Sequence, residues 1–237
     1  AAATVPSLTG GTGTDTFDVL STAGPLNIST GAGSTTVNIS PLNGILGALS
    51  VTGNATGSDT LNVDDSADAT AKTGTLSSSQ ITGFGMGVGG ITYSAVDTLN
   101  LTLGTGDLTV TIASTAASTA TTLATGSGDD TVTVQSTGPS PTTILTGDGD
   151  DIVNVQATTG ATTVAVGTGV NTINVSAPSH VLDLIQGILT LTGNGTDTIN
   201  LDDTGSSAAK TVSLSDTQLT STGSAAIDFA GDTGLAT

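Results

Sequence analysis

The sequence has no cysteine, tryptophan, arginine or glutamate, and it has only two lysines, Lys72 and Lys210. Without cysteine there is no disulfide framework and no thiolate metal site. Glutamate, lysine and arginine normally cover the solvated faces of helices, so their scarcity argues against surface helices. No apolar run reaches the roughly 18 residues that a membrane-spanning helix needs. We therefore expect a protein without disulfides that does not insert into a membrane.

Positively charged side chains are almost absent from the sequence. All 20 acidic residues are aspartate, and the formal net charge is −18. Proteins that bind nucleic acids or anionic membranes contact phosphate groups with lysine and arginine. The composition therefore argues against nucleic acid as a partner and favours cations.

The residues that are abundant favour strands and turns. Threonine and valine have high strand propensity, whereas glycine, aspartate, asparagine and serine favour turns. The sequence contains 33 glycines but only four aromatic residues apart from histidine, three Phe and one Tyr, so we expect a core of small aliphatic side chains. The composition predicts an all-β protein.

A turn followed by a short strand recurs every 20–22 residues. The clearest examples are GSGDD before TVTV (126–134), GDGDD before IVNV (147–155) and GTGVN before TINV (167–175). A second strand and a second turn separate these units. Period-2 alternation places one set of side chains on a common face, namely Val132, Val134, Val153, Val155, Ile173 and Val175.

A fixed short period of strand and turn is typical of solenoids, in which each rung buries its apolar face against its neighbours. We predict a single-stranded parallel β-solenoid, of the β-helix or β-roll type, that runs as one continuous domain over residues 1–237. Asparagines at equivalent strand positions are expected to form stacked ladders. They are Asn38, Asn62, Asn154, Asn174 and Asn200.

A longer repeat lies over the short one. Residues 11–40 match residues 147–176 at 11 of 30 positions, and residues 58–82 match residues 196–220 at 12 of 25 positions. The only two lysines are equivalent in this second alignment. The chain therefore contains one copy of a module, at about 1–136, and a partial second copy, at about 137–237.

The segment GGTGTDTFD (10–18) matches the nonapeptide G-G-x-G-x-D-x-U-x, and GSGDDTV, GDGDDIV and GNGTDTI match its core. Here the chain resembles the repeats-in-toxin family of calcium-binding β-rolls. It is still more similar to the giant tandem-repeat surface proteins and adhesins of bacteria, which carry segments like TLNVDDSAD and GTLSSSQITGFGMGVGGITYSAVDTLNL. The resemblance implies a secreted, extracellular or cell-surface location. It also implies calcium as the cofactor, with carboxylates as ligands: Asp15, Asp129, Asp130, Asp148, Asp150, Asp151 and Asp197.

A structural interpretation of the same turns stands beside the calcium one. In the calcium β-roll the nonapeptide recurs twice per turn of the coil, whereas here it occurs once per rung. The opposite turns, STGPSP and ATTGA, have no carboxylates. Glycine with positive φ and an aspartate that accepts hydrogen bonds from backbone N–H groups would by themselves form a tight turn.

No residue pattern indicates catalysis. The pair Asp64-Asp65 and its copy Asp202-Asp203 are adjacent on a strand, so their side chains point to opposite faces. We expect them to be structural and to pair with the two lysines. His180 is the only histidine, and no G-x-S-x-G motif occurs.

Three functions are compatible with the sequence. The first is a structural fibre, stalk or filament that is not an enzyme and associates head-to-tail with itself, because neither end reads as a polar cap. The second is a calcium-binding adhesion module of a large surface protein. The third, more remote, is a solenoid enzyme that acts on polysaccharides, which usually requires the arginines and aromatic residues that this chain lacks.

Overall fold

A computed structural model describes residues 4–194 and 196–229, which form 22 strands and two short 3₁₀ helices. The first half contains β1 (Ser7–Thr9), β2 (Asp15–Val19), β3 (Leu26–Ser29), β4 (Thr35–Ile39), β5 (Leu49–Thr52), β6 (Thr60–Asp64), β7 (Lys72–Leu76), β8 (Gln80–Gly83), β9 (Ile91–Ser94), β10 (Thr98–Thr102) and β11 (Leu108–Ile112). The second half contains β12 (Ala120–Ala124), β13 (Thr131–Val134), β14 (Thr142–Leu145), β15 (Ile152–Val155), β16 (Thr162–Ala165), β17 (Thr172–Val175), β18 (Leu189–Thr192), β19 (Thr198–Leu201), β20 (Val212–Leu214), β21 (Gln218–Ser221) and β22 (Ile227–Asp228).

The strands form two sheets of eleven, and most neighbours are parallel. Sheet 1 has the order β1-β3-β5-β9-β8-β7-β11-β13-β15-β17-β19, and sheet 2 has the order β2-β4-β6-β10-β12-β14-β16-β18-β22-β21-β20. From β10 to β17, paired residues are 20–22 positions apart, as in Thr98 with Ala120 and Thr142 with Thr162. The chain thus alternates between the sheets and advances one rung per circuit. The predicted all-β parallel solenoid is confirmed.

The core lies between the two sheets. The six valine and isoleucine side chains predicted to share a face are all 0–1% exposed. Threonine and asparagine at the alternate positions of these strands are partly exposed on the outer faces. The inner faces of the two sheets pack against each other in every rung. Because the rungs are stacked, their buried side chains form one continuous core.

Two excursions interrupt the parallel coil, and the sequence reasoning missed them. Strands β7, β8 and β9 pair antiparallel within sheet 1, and β20, β21 and β22 do the same within sheet 2. In the first excursion the buried ring of Phe84 lies over Gly74, where an added Cβ would come within 2.3 Å of the ring. After the first excursion the chain continues with β10 in sheet 2, the sheet that also contains β6.

The apolar segments that follow β4 and β17 form the two 3₁₀ helices, Leu42–Gly44 and Leu182–Leu184. Their first residues, Leu42 and Leu182, are buried, so both segments contribute side chains to the core. Neither helix, nor any other in the described ranges, has the length and apolarity needed to cross a membrane.

Equivalent strands of the two copies of the module lie in opposite sheets. Strand β2 belongs to sheet 2, and its equivalent in the second copy, β15, belongs to sheet 1. The excursions follow the same rule, since the first lies in sheet 1 and the second in sheet 2. Equivalent strands are separated by thirteen positions in the order of strands along the chain. Because the regular coil has two strands per rung, one in each sheet, an odd separation places equivalent strands in opposite sheets. The copies are therefore related by half a turn about the solenoid axis together with a translation along it.

Candidate functional site

The glycine-aspartate turns stack on one another along the edge of sheet 1. Gly126, Gly147 and Gly167 have φ values of 97°, 90° and 59°, which L-residues rarely adopt. A Cβ on Gly147 would lie 1.7 Å from the carbonyl oxygen of Gly126, and one on Gly167 would lie 1.9 Å from that of Gly147. Both the backbone conformation and the close approach of the rungs therefore require glycine at these positions.

The last aspartate of each turn belongs to a buried column, the inner column, formed by Asp130, Asp151, Asn171 and Asp197. In each case Oδ1 accepts a hydrogen bond from a backbone N–H one rung earlier. The N–H of Leu108 donates to Asp130 (2.8 Å), that of Asp130 to Asp151 (2.9 Å) and that of Asp151 to Asn171 (2.8 Å). Asp197 closes the column by accepting from both the N–H and the Nδ2 of Asn171. The carboxylates thus cap the N–H groups at the starts of the strands.

Two carboxyl groups of the inner column are poorly solvated. Asp130 and Asp151 are each 1% exposed, and their buried Oδ2 atoms have no hydrogen-bond partner. Burial raises the pKa of Asp130 to about 6, and it also raises the pKa of Asp151. The nearby hydroxyls of Thr125 and Thr146 form no hydrogen bond with these Oδ2 atoms, and they lower the two pKa values only in part. An ionised carboxylate is therefore unfavourable at both positions unless another group compensates it.

An exposed second column, the outer column, runs beside the first and consists of Asp107, Asp129 and Asp150. Its hydrogen bonds run in the opposite direction along the solenoid. The N–H of Asp129 donates to Asp107 (3.1 Å), that of Asp150 donates to Asp129 (2.9 Å), and that of Val170 donates to Asp150 (2.8 Å). Each stacked turn thus forms hydrogen bonds with the turn one rung before it and with the turn one rung after it.

The remaining predicted ligands also accept local hydrogen bonds. Asp15 Oδ2 accepts from the N–H of Gly11 (2.7 Å), and Asp197 Oδ2 accepts from the N–H of Asn194 (2.9 Å). Asp148 accepts from the hydroxyl of Thr168 one rung later. Asp15 lies at the start of sheet 2, far along the chain from the columns of sheet 1.

Calcium takes six to eight oxygen ligands, usually several of them carboxylate oxygens. Within residues 4–194 and 196–229, no three aspartate or histidine side chains converge closely enough to hold a metal ion. The Oδ1 atoms of the columns already accept hydrogen bonds from backbone N–H groups of neighbouring rungs. Calcium binding by the seven aspartates stays a prediction that must be tested in solution.

Sequence reasoning missed three residues that act in these turns. Asp107 begins the outer column, although GTGD (104–107) is recognisable as a turn. Asn171, in a turn that lacks the aspartate, occupies the same place in the inner column with an amide. Asp59 accepts hydrogen bonds from the hydroxyl of Thr30 (2.8 Å) and the N–H of Thr35 (3.0 Å), so sheet 2 has a comparable cap.

The two copies of the paired aspartates differ in their partners. Asp64 is exposed and Asp65 is buried, as expected for neighbours on a strand. Lys72 Nζ lies 2.7 Å from Asp65 and 2.8 Å from Asp68, so the predicted ion pair is confirmed in the first copy. The prediction is wrong for the second copy, where Lys210 pairs with Asp183. The position equivalent to Asp68 is a serine there, and Asp202 instead lies 2.7 Å from His180 Nδ1.

The predicted asparagine ladders are confirmed on the outer faces of both sheets. In sheet 2, Asn62 donates to Asn38 and Asn100 donates to Asn62, each at 2.9 Å. In sheet 1, Asn174 donates to Asn154 and Asn200 donates to Asn174. A groove of about 390 Å³ follows the sheet 2 ladder and is lined by these amides, by Asp64 and by small hydroxyl side chains. It contains a single carboxylate and no imidazole.

Repeats, ladders and capped turns are thus the features that the described residues display. Comparisons with protein-family models, with curated proteins and with solved structures each found no match for this chain.

Proposed function

We propose that this chain is a structural, non-enzymatic protein of an extracellular or cell-surface fibre, stalk or filament, which extends by end-to-end stacking of solenoid units. One observation supports the proposal above all others. Among residues 4–194 and 196–229, both sheets end in strands whose outer edges pair with no described strand: β1 and β2 at the head, and β19 and β20 at the tail. Open strand edges are templates for further strands.

Exposed apolar side chains accompany the open edges. Val5 and Leu8 at the head are 45% and 46% exposed, and Val212 and Leu214 at the tail are 54% and 57% exposed. The head and the tail are different surfaces, so a contact between them does not close on itself and propagates in one direction. The partner is a second chain in a filament or an adjoining module in a longer array.

We expect the purified chain to associate in a concentration-dependent manner and to form unbranched filaments one solenoid wide. Sedimentation velocity over a wide concentration range and negative-stain electron microscopy would measure this. A matched variant with Leu8→Lys and Leu214→Lys should associate less, because charge on an edge opposes strand pairing. Both side chains are exposed, so its melting temperature should be unchanged. A chain that stays monomeric at high concentration would contradict the proposal.

A calcium-binding adhesion module is the second candidate, and one observation favours it. The buried, unpartnered Oδ2 atoms of Asp130 and Asp151 would be stabilised by a cation. Binding to the folded state alone would raise the free energy of unfolding by about 2.7 kcal/mol at a hundredfold excess over Kd. Thermal unfolding in chelator and in millimolar calcium, with magnesium as the control, measures this increase. Equal melting temperatures in all three solutions would eliminate the candidate.

A further inference from the structure

The tail repeats the part of the first copy on which the next rung stacks. In the first copy, β10 pairs with β6, and β11 pairs with β7. Strand β19 is the equivalent of β6, and residues 210–214, which include β20, are the equivalent of β7. No other strand within the described ranges pairs with the outer edges of β19 and β20. The tail is therefore a template for two strands in the positions of β10 and β11.

The head begins with a strand–turn–strand unit of the same spacing as β10 and β11. Five residues separate β1 from β2, and five residues separate β10 from β11. Both turns contain the sequence Gly-Thr-Gly, at 11–13 and at 104–106. Because the spacing is the same, β1 of a second copy fits the edge of β19, and its β2 then fits the edge of β20.

The glycines of the head turn meet nothing in their own chain that requires glycine. In the interior, Gly104 is needed because an added Cβ would lie 1.7 Å from the carbonyl oxygen of Asp68, in the preceding turn. Gly11 is at the same position, yet the nearest described atom to its added Cβ is Asp15 Oδ2 at 3.8 Å, and Gly13 has none within 4 Å. None of these three glycines has positive φ. A turn stacked on the head from outside would account for Gly11 and Gly13.

Lys210 at the tail has one carboxylate partner where its equivalent has two. In the first copy, Lys72 Nζ contacts both Asp65 and Asp68. In the part of the chain that the structure describes, Lys210 Nζ contacts a single carboxylate, that of Asp183. A second carboxylate beside Lys210 would restore the arrangement of the first copy.

The head of a second copy has a carboxylate at the required position. The neighbour of Lys72 in β11 is Leu108, the first residue of that strand. Asp15 is the first residue of β2, so it becomes the neighbour of Lys210 when β2 lies on β20. Neighbouring strands are about 4.8 Å apart, which lets two side chains on the same face form an ion pair.

The same register joins the apolar side chains of the two ends. Phe17 of the second copy would lie over Val212, and its Leu8 over Leu201. Phe17 and Leu201 are only partly buried, and Leu8 and Val212 are exposed. Their equivalents in the first copy, on β11, β7, β10 and β6, are all buried. Stacking would therefore remove apolar surface from water at both ends.

We propose that the tail edge formed by β19 and β20 is the docking surface for β1 and β2 of a second copy of this chain. Asp15 of the second copy pairs with Lys210, and its Gly11 lies against the turn that follows β19. Sheet 1 thus continues into sheet 1 and sheet 2 into sheet 2. This inference rests on the proposed function and specifies its interface.

The first test is Gly11→Ala (G11A), whose methyl group lies where the turn of the tail has to approach. We expect self-association, measured by sedimentation velocity, to weaken at least about tenfold relative to the wild type, because overpacking is costly. The melting temperature should be unchanged, since no described atom opposes the methyl group within one chain.

Asp15→Asn (D15N) and Asp18→Asn (D18N) form a matched pair. Each removes one negative charge from β2 and retains an oxygen for the local hydrogen bond, which Gly11 donates to Asp15 and Asn38 donates to Asp18. Only Asp15 would share a face with Lys210. We expect D15N to weaken association roughly fivefold. D18N should not weaken it, because it only reduces repulsion between two acidic chains. Circular dichroism verifies that each variant is folded.

The outcomes separate this inference from the proposed function. Weaker association of G11A and D15N, but not of D18N, supports the inference, even where electron microscopy shows only short oligomers and the fibre proposal fails. Wild-type association that none of the three variants changes overturns the inference and leaves the fibre proposal standing. Equal losses in D15N and D18N would show a general charge effect and would also overturn the inference. A monomeric wild type, as expected if residues 230–237 of the same chain covered the edge of β19, contradicts both proposals.

Discussion

Replacing Gly147 by alanine should destabilise the solenoid by roughly 2–5 kcal/mol. A left-handed backbone costs an L-residue about 1–2 kcal/mol. The new Cβ would also lie 1.7 Å from the carbonyl oxygen of Gly126, so the stacked turns would have to separate. Overpacking of this kind typically costs another 1–3 kcal/mol. Denaturant unfolding followed by circular dichroism would measure the loss.

The repeat provides the matched control. Gly11 is the equivalent of Gly147 in the first copy, but it lies on the first rung, where no preceding turn approaches it. The nearest atom to an added Cβ is Asp15 Oδ2, at 3.8 Å, and Gly11 does not have positive φ. We expect Gly11→Ala to change the free energy of unfolding by less than about 1 kcal/mol. Equal effects of the two substitutions would contradict the interpretation that positive φ and the close approach of the stacked turns together require glycine at position 147.

The sequence predicted those parts of the fold that depend on local periodicity. Alternation of valine and isoleucine with threonine and asparagine determines which side chains are buried, as Val132 and Asn174 illustrate. The glycine turns determine where each strand ends. The excursions were missed because β7, β8 and β9 read as ordinary strands. Their clue is the short loop Ser77–Ser79. Three residues can connect a hairpin but cannot carry the chain across to the other sheet.

The candidate site was predicted less completely than the fold, because its hydrogen bonds join different rungs. Asp130 was identified from its own turn, but its partners Leu108 and Asp151 are 22 and 21 residues away. Asn171 is not among the predicted ligands because it has no carboxylate, although its amide takes the same place in the column. The pairing of Lys210 was predicted wrongly because Asp183 belongs to the preceding rung. It lies outside residues 196–220, the segment that matches the first copy.

Stability should fall as the pH rises from about 4 to above 6, and Asp130 should contribute much of this change. Its folded pKa of about 6 exceeds the ordinary value of 3.8, so the folded state binds more protons than the unfolded state between these values. The stability that protonation contributes is complete below about pH 4 and is lost as the pH passes the folded pKa. Asp151, whose pKa is also raised, adds in the same direction. The lowered pKa values of Asp68 and Asp202 act in the opposite sense, but only at pH values below about 4.

We therefore expect Asp130→Asn to stabilise the chain at pH 7.5 in the presence of chelator, by roughly 1–3 kcal/mol at 1.36 kcal/mol per pKa unit. The gain should disappear near pH 4, where the wild-type carboxyl is already neutral. The amide oxygen still accepts from the N–H of Leu108, and Asn171 shows that an amide fits this column. Asp129→Asn is the control, since it removes the same charge from an exposed neighbour and should change stability by less than about 0.5 kcal/mol.

The same variant distinguishes the structural interpretation of the aspartate turns from the calcium one. If calcium compensates the buried Oδ2 atoms, millimolar calcium will stabilise the wild type at pH 7.5, and D130N will lose most of that increase, because an amide is a weaker and neutral ligand. If the turns are only structural, calcium will have no effect on either protein, and D130N will remain the more stable at neutral pH. Destabilisation by D130N in chelator at pH 7.5 would contradict both expectations, since it would mean that the ionised carboxylate is already well compensated within the coil.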